Sequence, residues 1–165
     1  MGINESFIAE LEQEAKATRK LLERVPLEKA DWKPHEKSMT LGRLAFHIAE
    51  IPGWASSTLD LDELDFAKGD YRPTTSGTTT ELLKSFDDNI ARAMKSLKYA
   101  PDERFMENWT LKNGDITYFT LPKIAVLRSF AFSHWIHHRA QLGVYLRLLD
   151  VPLPGMYGPT ADEQM

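Results

Sequence analysis

Four segments of this 165-residue chain repeat apolar side chains at the spacing of one face of an α-helix, and strands do not alternate with them. The segments cover about residues 4–25, 40–59, 80–97 and 121–149. Each apolar stripe must be buried against another, and this favours a bundle, in which metal and cofactor sites are built from side chains on facing helices. The sequence therefore predicts an all-α fold, a four-helix bundle.

Proline and threonine residues mark the ends of these segments. Pro26 ends the first segment, and Pro122 suits the first turn of the fourth. Pro52 lies inside the second segment, where it removes a backbone hydrogen bond and predicts a kink or the end of the regular helix. Ser38 or Thr40 is the expected N-cap of the second segment, and "TTTE" at 78–81 is compatible with a capping box.

The stretch "NWTLKNGDITYFT" at 108–120 has a different pattern, because it alternates around Asn113-Gly114. This residue pair is favoured in type I′ turns. We expect a small hairpin, or an extended loop, before the last helix. The stretches "KADWKPHEKSM" at 29–39 and "LDELDFAKGDYRPTTSG" at 61–77 are predicted to be loops.

Length and composition limit the class of protein. A chain of this length suits one domain, spanning 1–165, with a substantial core. Its net charge is −4, and no dense run of Lys or Arg is present, so we expect no nucleic-acid partner. No apolar run approaches the ~20 residues of a membrane span, and the beginning of the chain is acidic, unlike a signal peptide. We expect a soluble, cytoplasmic protein with no membrane partner.

The chain contains no cysteine, so any metal site must use nitrogen and oxygen ligands. His134 and His138 are four residues apart in the fourth segment, and both imidazoles of such a pair reach one ion. An i, i+4 pair is a weak signal alone, because exposed helical histidines are common. The metallopeptidase motif with this spacing has a Glu beside the first His, whereas Trp135 stands here.

His47 strengthens the prediction of a metal site. It lies within or beside the apolar stripe of the second segment, between Leu44 and Ile51, so its nitrogens need polar partners inside the bundle. A core histidine bonded to a backbone carbonyl or water is the alternative. Three inward histidines from two helices would leave coordination positions open, as in catalytic metal sites. His137 is rotated about 100° from His138 and receives no ligand role, and His35 is expected in a solvated loop or at a pocket rim.

Two separated motifs, their order and the C-terminal stretch resemble the DinB-like (YfiT-like) family of four-helix-bundle proteins, which are regarded as metalloenzymes. The matching stretches are "MTLGRLAFHIAEIPGW", "HWIHHRAQLGVYLRLLDVPLP" and "GMYGPTADE", together with Trp32-Lys33-Pro34 and the Asn-Gly hairpin. The resemblance covers nearly the whole chain. It departs from the family's usual "HHRGQ" at Ala140, which adds a methyl group at a possible close helix contact.

The resemblance implies a divalent metal held by His47, His134 and His138, and a homodimer formed through the helices. Three imidazoles suit a divalent transition ion, with Zn²⁺ or Ni²⁺ as the first candidates. In related enzymes the metal is thought to activate a thiol or water. The expected partner is therefore a small-molecule substrate or a thiol.

Residues near the three histidines are candidates for other roles. Glu50, one turn after His47, is a candidate general base, with a surface acid or a partner for Arg43 as the alternative. Trp54, Gln141 and Tyr145 are candidate pocket residues, although Trp54 and Tyr145 also suit the core. Arg139 is expected to form an interhelical ion pair, with the anchoring of an acidic group as the alternative.

Three hypotheses for the function follow. The first is a metal-dependent hydrolase or thiol-dependent transferase that acts on a small molecule. The second is a non-catalytic metal- or ligand-binding bundle that sequesters or senses. The third is a stress-induced interaction protein with a vestigial site. The sequence does not identify the substrate.

Overall fold

The computed structural model describes residues 2–69 and 72–164; Met1, Asp70, Tyr71 and Met165 lie outside it. Two of these residues fall in the predicted loop at 61–77. The helices are α1 (Ile3–Leu22), α2 (Leu41–Glu50), α3 (Gly53–Asp60), α4 (Thr79–Tyr99), α5 (Asp102–Met106), α6 (Lys123–Val126) and α7 (His134–Leu148), and a π-helical stretch, Leu127–Ser133, joins α6 to α7. The strands are β1 (Glu63–Asp65), β2 (Asn108–Asn113) and β3 (Ile116–Pro122).

The four predicted helical segments are confirmed, and their ends follow the local sequence. The second segment divides into α2 and α3 at Pro52, as the missing backbone donor predicts. The Thr40 side chain caps α2 by accepting a hydrogen bond from Arg43 N at 3.2 Å. Thr78 and Glu81 form the predicted capping box at the start of α4.

The long helices form a closed ring of contacts around one apolar core. α4 packs against α1, α2 and α3, while α7 packs against both α2 and α1. Fully buried side chains from the four sides meet in the centre, among them Leu11, Leu22, Leu44, Ile48, Leu82, Phe86, Leu142 and Leu146. The contact between α2 and α7 is the one that brings the predicted histidines together.

The prediction of an all-α fold is wrong in one respect, because a three-stranded sheet accompanies the helices. Strand β2 pairs antiparallel with β3 in the predicted hairpin and parallel with β1. β1 was predicted to be loop, since three residues are too few to show an alternating pattern. The hairpin loop is Gly114-Asp115, with a positive φ at Gly114 only, which is the pattern of a type II′ turn.

A buried ion pair connects α7 to α1 and to the C-terminal stretch. Arg139 is only 4% exposed; it pairs with Glu14 of α1 at 2.5 Å and donates to Thr18 Oγ1 at 3.0 Å. The Tyr157 hydroxyl donates to the Glu14 carboxylate at 2.8 Å. The interhelical role expected for Arg139 is therefore what the structure shows. Among the described residues, no helix has both the length and the apolar character needed to cross a membrane.

Replacing Arg139 should destabilise the fold strongly, because the Glu14 carboxylate would stay buried without its cation. We expect Arg139→Met to lower the free energy of unfolding by about 3–5 kcal/mol, measured by urea denaturation of the metal-free protein. Removing both charges in Glu14→Leu/Arg139→Met should restore much of this loss. A double variant as unstable as the single one would show that the charge imbalance is not the cause.

Candidate metal centre

The packing of α2 against α7 brings three imidazole rings to one place. His47 extends from α2, and His134 and His138 extend from α7, one helical turn apart. The Nε2 atoms of His47 and His134 are 3.3 Å apart, and those of His134 and His138 are 2.9 Å apart. Each ring offers one nitrogen, and the three nitrogens all lie within 4.8 Å of one another. The three residues predicted as metal ligands are thus neighbours in the structure.

The two histidines of α7 are held by hydrogen bonds on the far side of their rings. His134 Nδ1 lies 3.2 Å from the carbonyl oxygen of Phe130, and His138 Nδ1 lies 2.7 Å from Gln141 Oε1. Both partners are acceptors, so each Nδ1 carries the proton and each Nε2 presents its lone pair. The two lone pairs therefore face each other at 2.9 Å, an arrangement that a positive species between them would stabilise.

A divalent transition ion fits this donor set. Two nitrogens about 2.0–2.1 Å from one ion lie about 2.8–3.4 Å apart for bond angles between those of an octahedron and a tetrahedron. The two Nε2–Nε2 distances of 2.9 and 3.3 Å fall in this range. Among the described residues the cluster contains imidazoles and no carboxylate, which favours transition metals over Mg²⁺ or Ca²⁺.

His134 is the first residue after the π-helical stretch Leu127–Ser133. Such wide turns are frequent at functional sites. Phe130, whose carbonyl holds the His134 ring, lies within the stretch, and its own ring is 5.7 Å from the imidazole of His134. The irregular turn therefore supplies both the acceptor and an apolar neighbour for this ligand.

Arg43 holds His47 differently from the way the other two histidines are held. Its Nη2 lies 3.3 Å from His47 Nδ1, while its Nη1 lies 3.2 Å from Glu50 Oε2. A guanidinium can only donate, so Nδ1 accepts and the proton of the neutral His47 ring sits on Nε2. Binding of an ion at Nε2 requires the loss of that proton and a change in the Arg43 contact.

All three imidazoles are neutral near pH 7, as metal ligands must be. Burial lowers the pKa of His47 to about 3, and the positive charges of protonated His138, of Arg43 and of protonated His134 act in the same direction. Burial also lowers the pKa of His134 and of His138, partly opposed by their hydrogen bonds to Phe130 and Gln141. Little proton competition for the ion is therefore expected at neutral pH.

The other candidates occupy different surroundings. Trp54 and Glu50 line a cavity of about 330 Å³ beside α2 and α3, and Glu50 is engaged by Arg43. Gln141 contacts His138, whereas Tyr145 is buried in the core, with its ring 5.6 Å from that of Trp32 and its hydroxyl donating to Met39 O. His137 and His35 are exposed.

Sequence reasoning missed two contacts to the histidines, that of the Phe130 carbonyl with His134 and that of Arg43 with His47. The carbonyl of Phe130 carries no signal in the sequence, because every residue has one. Arg43 does carry a signal, since it precedes His47 by four residues and a helix places such pairs side by side.

The contact between Gln141 and His138 should contribute to metal affinity, because the amide oxygen fixes the proton on Nδ1. Loss of such an orienting partner typically weakens binding about 10–100-fold. We expect this loss for Gln141→Leu in Zn²⁺ titrations against a chromophoric chelator. Gln141→Glu keeps an acceptor and serves as the matched control. Equal affinity of the Leu variant and the wild type would contradict an orienting role.

The lowered pKa of His47 should make the stability of the metal-free protein depend on pH. The unfolded chain binds this proton with a pKa of 6.5 and the folded chain with one of about 3. Between these pH values the unfolded state binds more protons than the folded state. The contribution of neutral His47 to the free energy of unfolding is therefore complete above pH 6.5 and is lost as the pH falls toward 3.

We therefore expect wild type to lose stability relative to His47→Gln between pH 7 and pH 5. Urea denaturation of both proteins after chelation, at several pH values, measures this difference. A difference that does not change with pH would contradict the lowered pKa.

Comparisons with known proteins agree with the fold. The YrdA protein of Bacillus subtilis (strain 168) is 28% identical over 157 residues, covering 95% of this chain and 89% of that protein. A DinB-like protein from Bacillus cereus ATCC 10987 superposes with a TM-score of 0.68 at 21% identity, over 93% of this chain and 97% of the other. The DinB-like protein YjoA of Bacillus subtilis gives a TM-score of 0.68 at 18% identity, over 97% and 99%. At these identities, the solved structures show a shared fold. The model of the DinB family matches residues 1–164, and the chain therefore belongs to the DinB family.

Proposed function

We propose that the protein is a divalent-metal-dependent enzyme, a hydrolase or a thiol-dependent transferase of a small molecule. His47, His134 and His138 would hold the ion. The observation that carries this proposal is the pair of Nε2 lone pairs that face each other at 2.9 Å, each fixed by an acceptor on the other side of its ring. Zn²⁺ and Ni²⁺ are the first candidates, because the donors are neutral imidazoles.

A bound ion would supply Lewis acidity, which lowers the pKa of a coordinated water or thiol and polarises a substrate oxygen. The protein's own residues prepare the site for this chemistry. Gln141 and the Phe130 carbonyl orient two ligands, and Trp54 forms an apolar wall of the neighbouring cavity. Glu50 lines the same cavity and is the candidate proton acceptor once its contact with Arg43 opens.

A non-catalytic metal- or ligand-binding bundle with a role in stress response is the second candidate. It is favoured by the composition of the described cluster, which contains no carboxylate to act as a base, and by the ion pair that engages Glu50. Under this alternative the site binds an ion without turnover.

We also propose a homodimer formed through the outer face of α7. Val144 and Leu148 lie on this face and are 60% and 58% exposed, beside an apolar cavity of about 530 Å³. Burial of this face against a second copy would remove apolar surface from water.

Variants of the three clustered histidines and of His137 test the ligand set. We expect His47→Ala, His134→Ala and His138→Ala each to lower Zn²⁺ or Ni²⁺ affinity strongly, because each removes one of three donors. His137→Ala is the matched control on the exposed side of α7 and should leave affinity nearly unchanged. Calorimetric titration measures the affinities. Equal losses in all four variants would mean that the ion is bound elsewhere.

Turnover separates the enzyme from the binding protein. The metal-loaded protein should be assayed with esters, lactams and thiol acceptors, with each reaction repeated in the His47→Ala variant. Activity that disappears in the variant supports the enzyme. Activity that persists would not be due to the proposed site, and a protein that stays metal-free after incubation with divalent ions would contradict both candidates.

A further inference from the structure

A groove between α3 and α4 contains two adjoining cavities, which we call the wide and the narrow cavity. The wide cavity has a volume of about 630 Å³ and the narrow cavity about 330 Å³. Both are lined by Ser57 of α3 and Arg92 of α4, so these two residues mark their boundary. Volumes of this size are typical of small-molecule sites.

The wide cavity carries unneutralised positive charge. Arg92 and Lys95 lie one turn apart on α4, and within residues 2–69 and 72–164 neither forms an ion pair with a carboxylate. The third cation of the lining, Arg104, is paired with Asp62 and Glu107. Asp60 is the acid of this lining, and it accepts a hydrogen bond from Ser96. Two cations therefore face one acid, which favours an anionic ligand.

The narrow cavity has an aromatic wall formed by Trp54 and Phe66, whose ring centroids are 6.3 Å apart. Asp65 also lines this cavity, and its carboxylate accepts hydrogen bonds from the backbone amides of Ala67 and Gly114. The wall therefore offers an apolar surface to the body of a ligand.

Two contacts connect the narrow cavity to the metal centre. On α2, Glu50 lines the cavity and pairs with Arg43, which contacts His47. On the other side, the Trp54 ring lies 5.0 Å from that of Phe130, whose ring is 5.7 Å from His134.

We infer that the groove between α3 and α4 binds an organic anion, with its carboxylate or phosphate at Arg92 and Lys95 and its apolar body against Trp54 and Phe66. The identification of this ligand as the substrate rests on the proposed metal-dependent function. The binding of the anion does not, because it uses none of the three histidines.

Phenyl phosphate has both an anionic group and an apolar ring, and it serves as the probe. Inorganic phosphate has only the anionic group, and benzyl alcohol has only the apolar ring. Calorimetric titrations of the metal-free protein avoid direct coordination of the phosphate. We expect phenyl phosphate to bind more tightly than either half. Arg92→Gln and Lys95→Gln should each weaken it roughly 10-fold, since each removes a charge-assisted contact. Both residues are exposed, so these variants should fold.

Lys98→Gln removes the same charge from α4 outside both linings and should leave the affinity unchanged. Trp54→Leu should weaken phenyl phosphate and not inorganic phosphate. The inference is overturned if phenyl phosphate does not bind the metal-free protein, or if the Arg92 and Lys95 variants bind it as wild type does.

Parallel metal titrations distinguish this result from a failure of the proposed function. Anion binding that depends on Arg92, in a protein that takes up no metal, would support the groove and contradict the metal-dependent enzyme. Normal metal binding, with phenyl phosphate bound only in the metal-loaded form and unaffected by Arg92→Gln, would overturn the groove alone.

Discussion

The contact between α2 and α7 determines where the three imidazoles lie. On α2, Leu44 and Ile48 are fully buried, and on α7 Leu142 and Leu146 are fully buried as well. Burial of these apolar side chains stabilises the contact and holds the two helices at a fixed separation. The histidines therefore meet because their helices pack, although two nitrogen lone pairs at 2.9 Å repel each other. Packing of the core thus places three imidazoles where they could hold a cation.

The two sides of the site differ in how far they are prepared. On α7 both rings already present a lone pair, because Phe130 and Gln141 hold the protons on Nδ1. On α2 the Arg43 contact favours the opposite tautomer of His47, and Arg43 is itself tied to Glu50. An ion that engages His47 must therefore change this contact. The guanidinium of Arg43 thus couples the candidate base Glu50 to the tautomer of His47.

Much of the fold and the meeting of the three histidines could be predicted from the sequence, because both depend on helical periodicity. The apolar stripes predicted the four helical segments, and Pro52 predicted the break between α2 and α3. The position of His47 between Leu44 and Ile51 predicted that it faces the bundle interior. The DinB family assignment is confirmed by the whole-chain match. Features without a periodic signal were missed. Strand β1 has three residues, the π-helical stretch depends on packing, and the groove joins side chains from distant parts of the chain.

The charges around the site connect the metal proposal with the groove. Three neutral imidazoles would leave the full charge of a divalent ion uncompensated, and the neighbouring Glu50 is already opposite Arg43. An anionic substrate would lower the electrostatic cost of holding the ion. A bound ion would in turn strengthen the attraction for the anion. Both effects are larger where water is partly excluded, because opposite charges attract more strongly there. Thermodynamic linkage requires the two effects to be equal. The affinity for the metal should therefore be higher in the presence of an organic anion than in its absence. An electrostatic reason for an anionic substrate thus follows from the neutrality of the three ligands, separately from the cations of the groove.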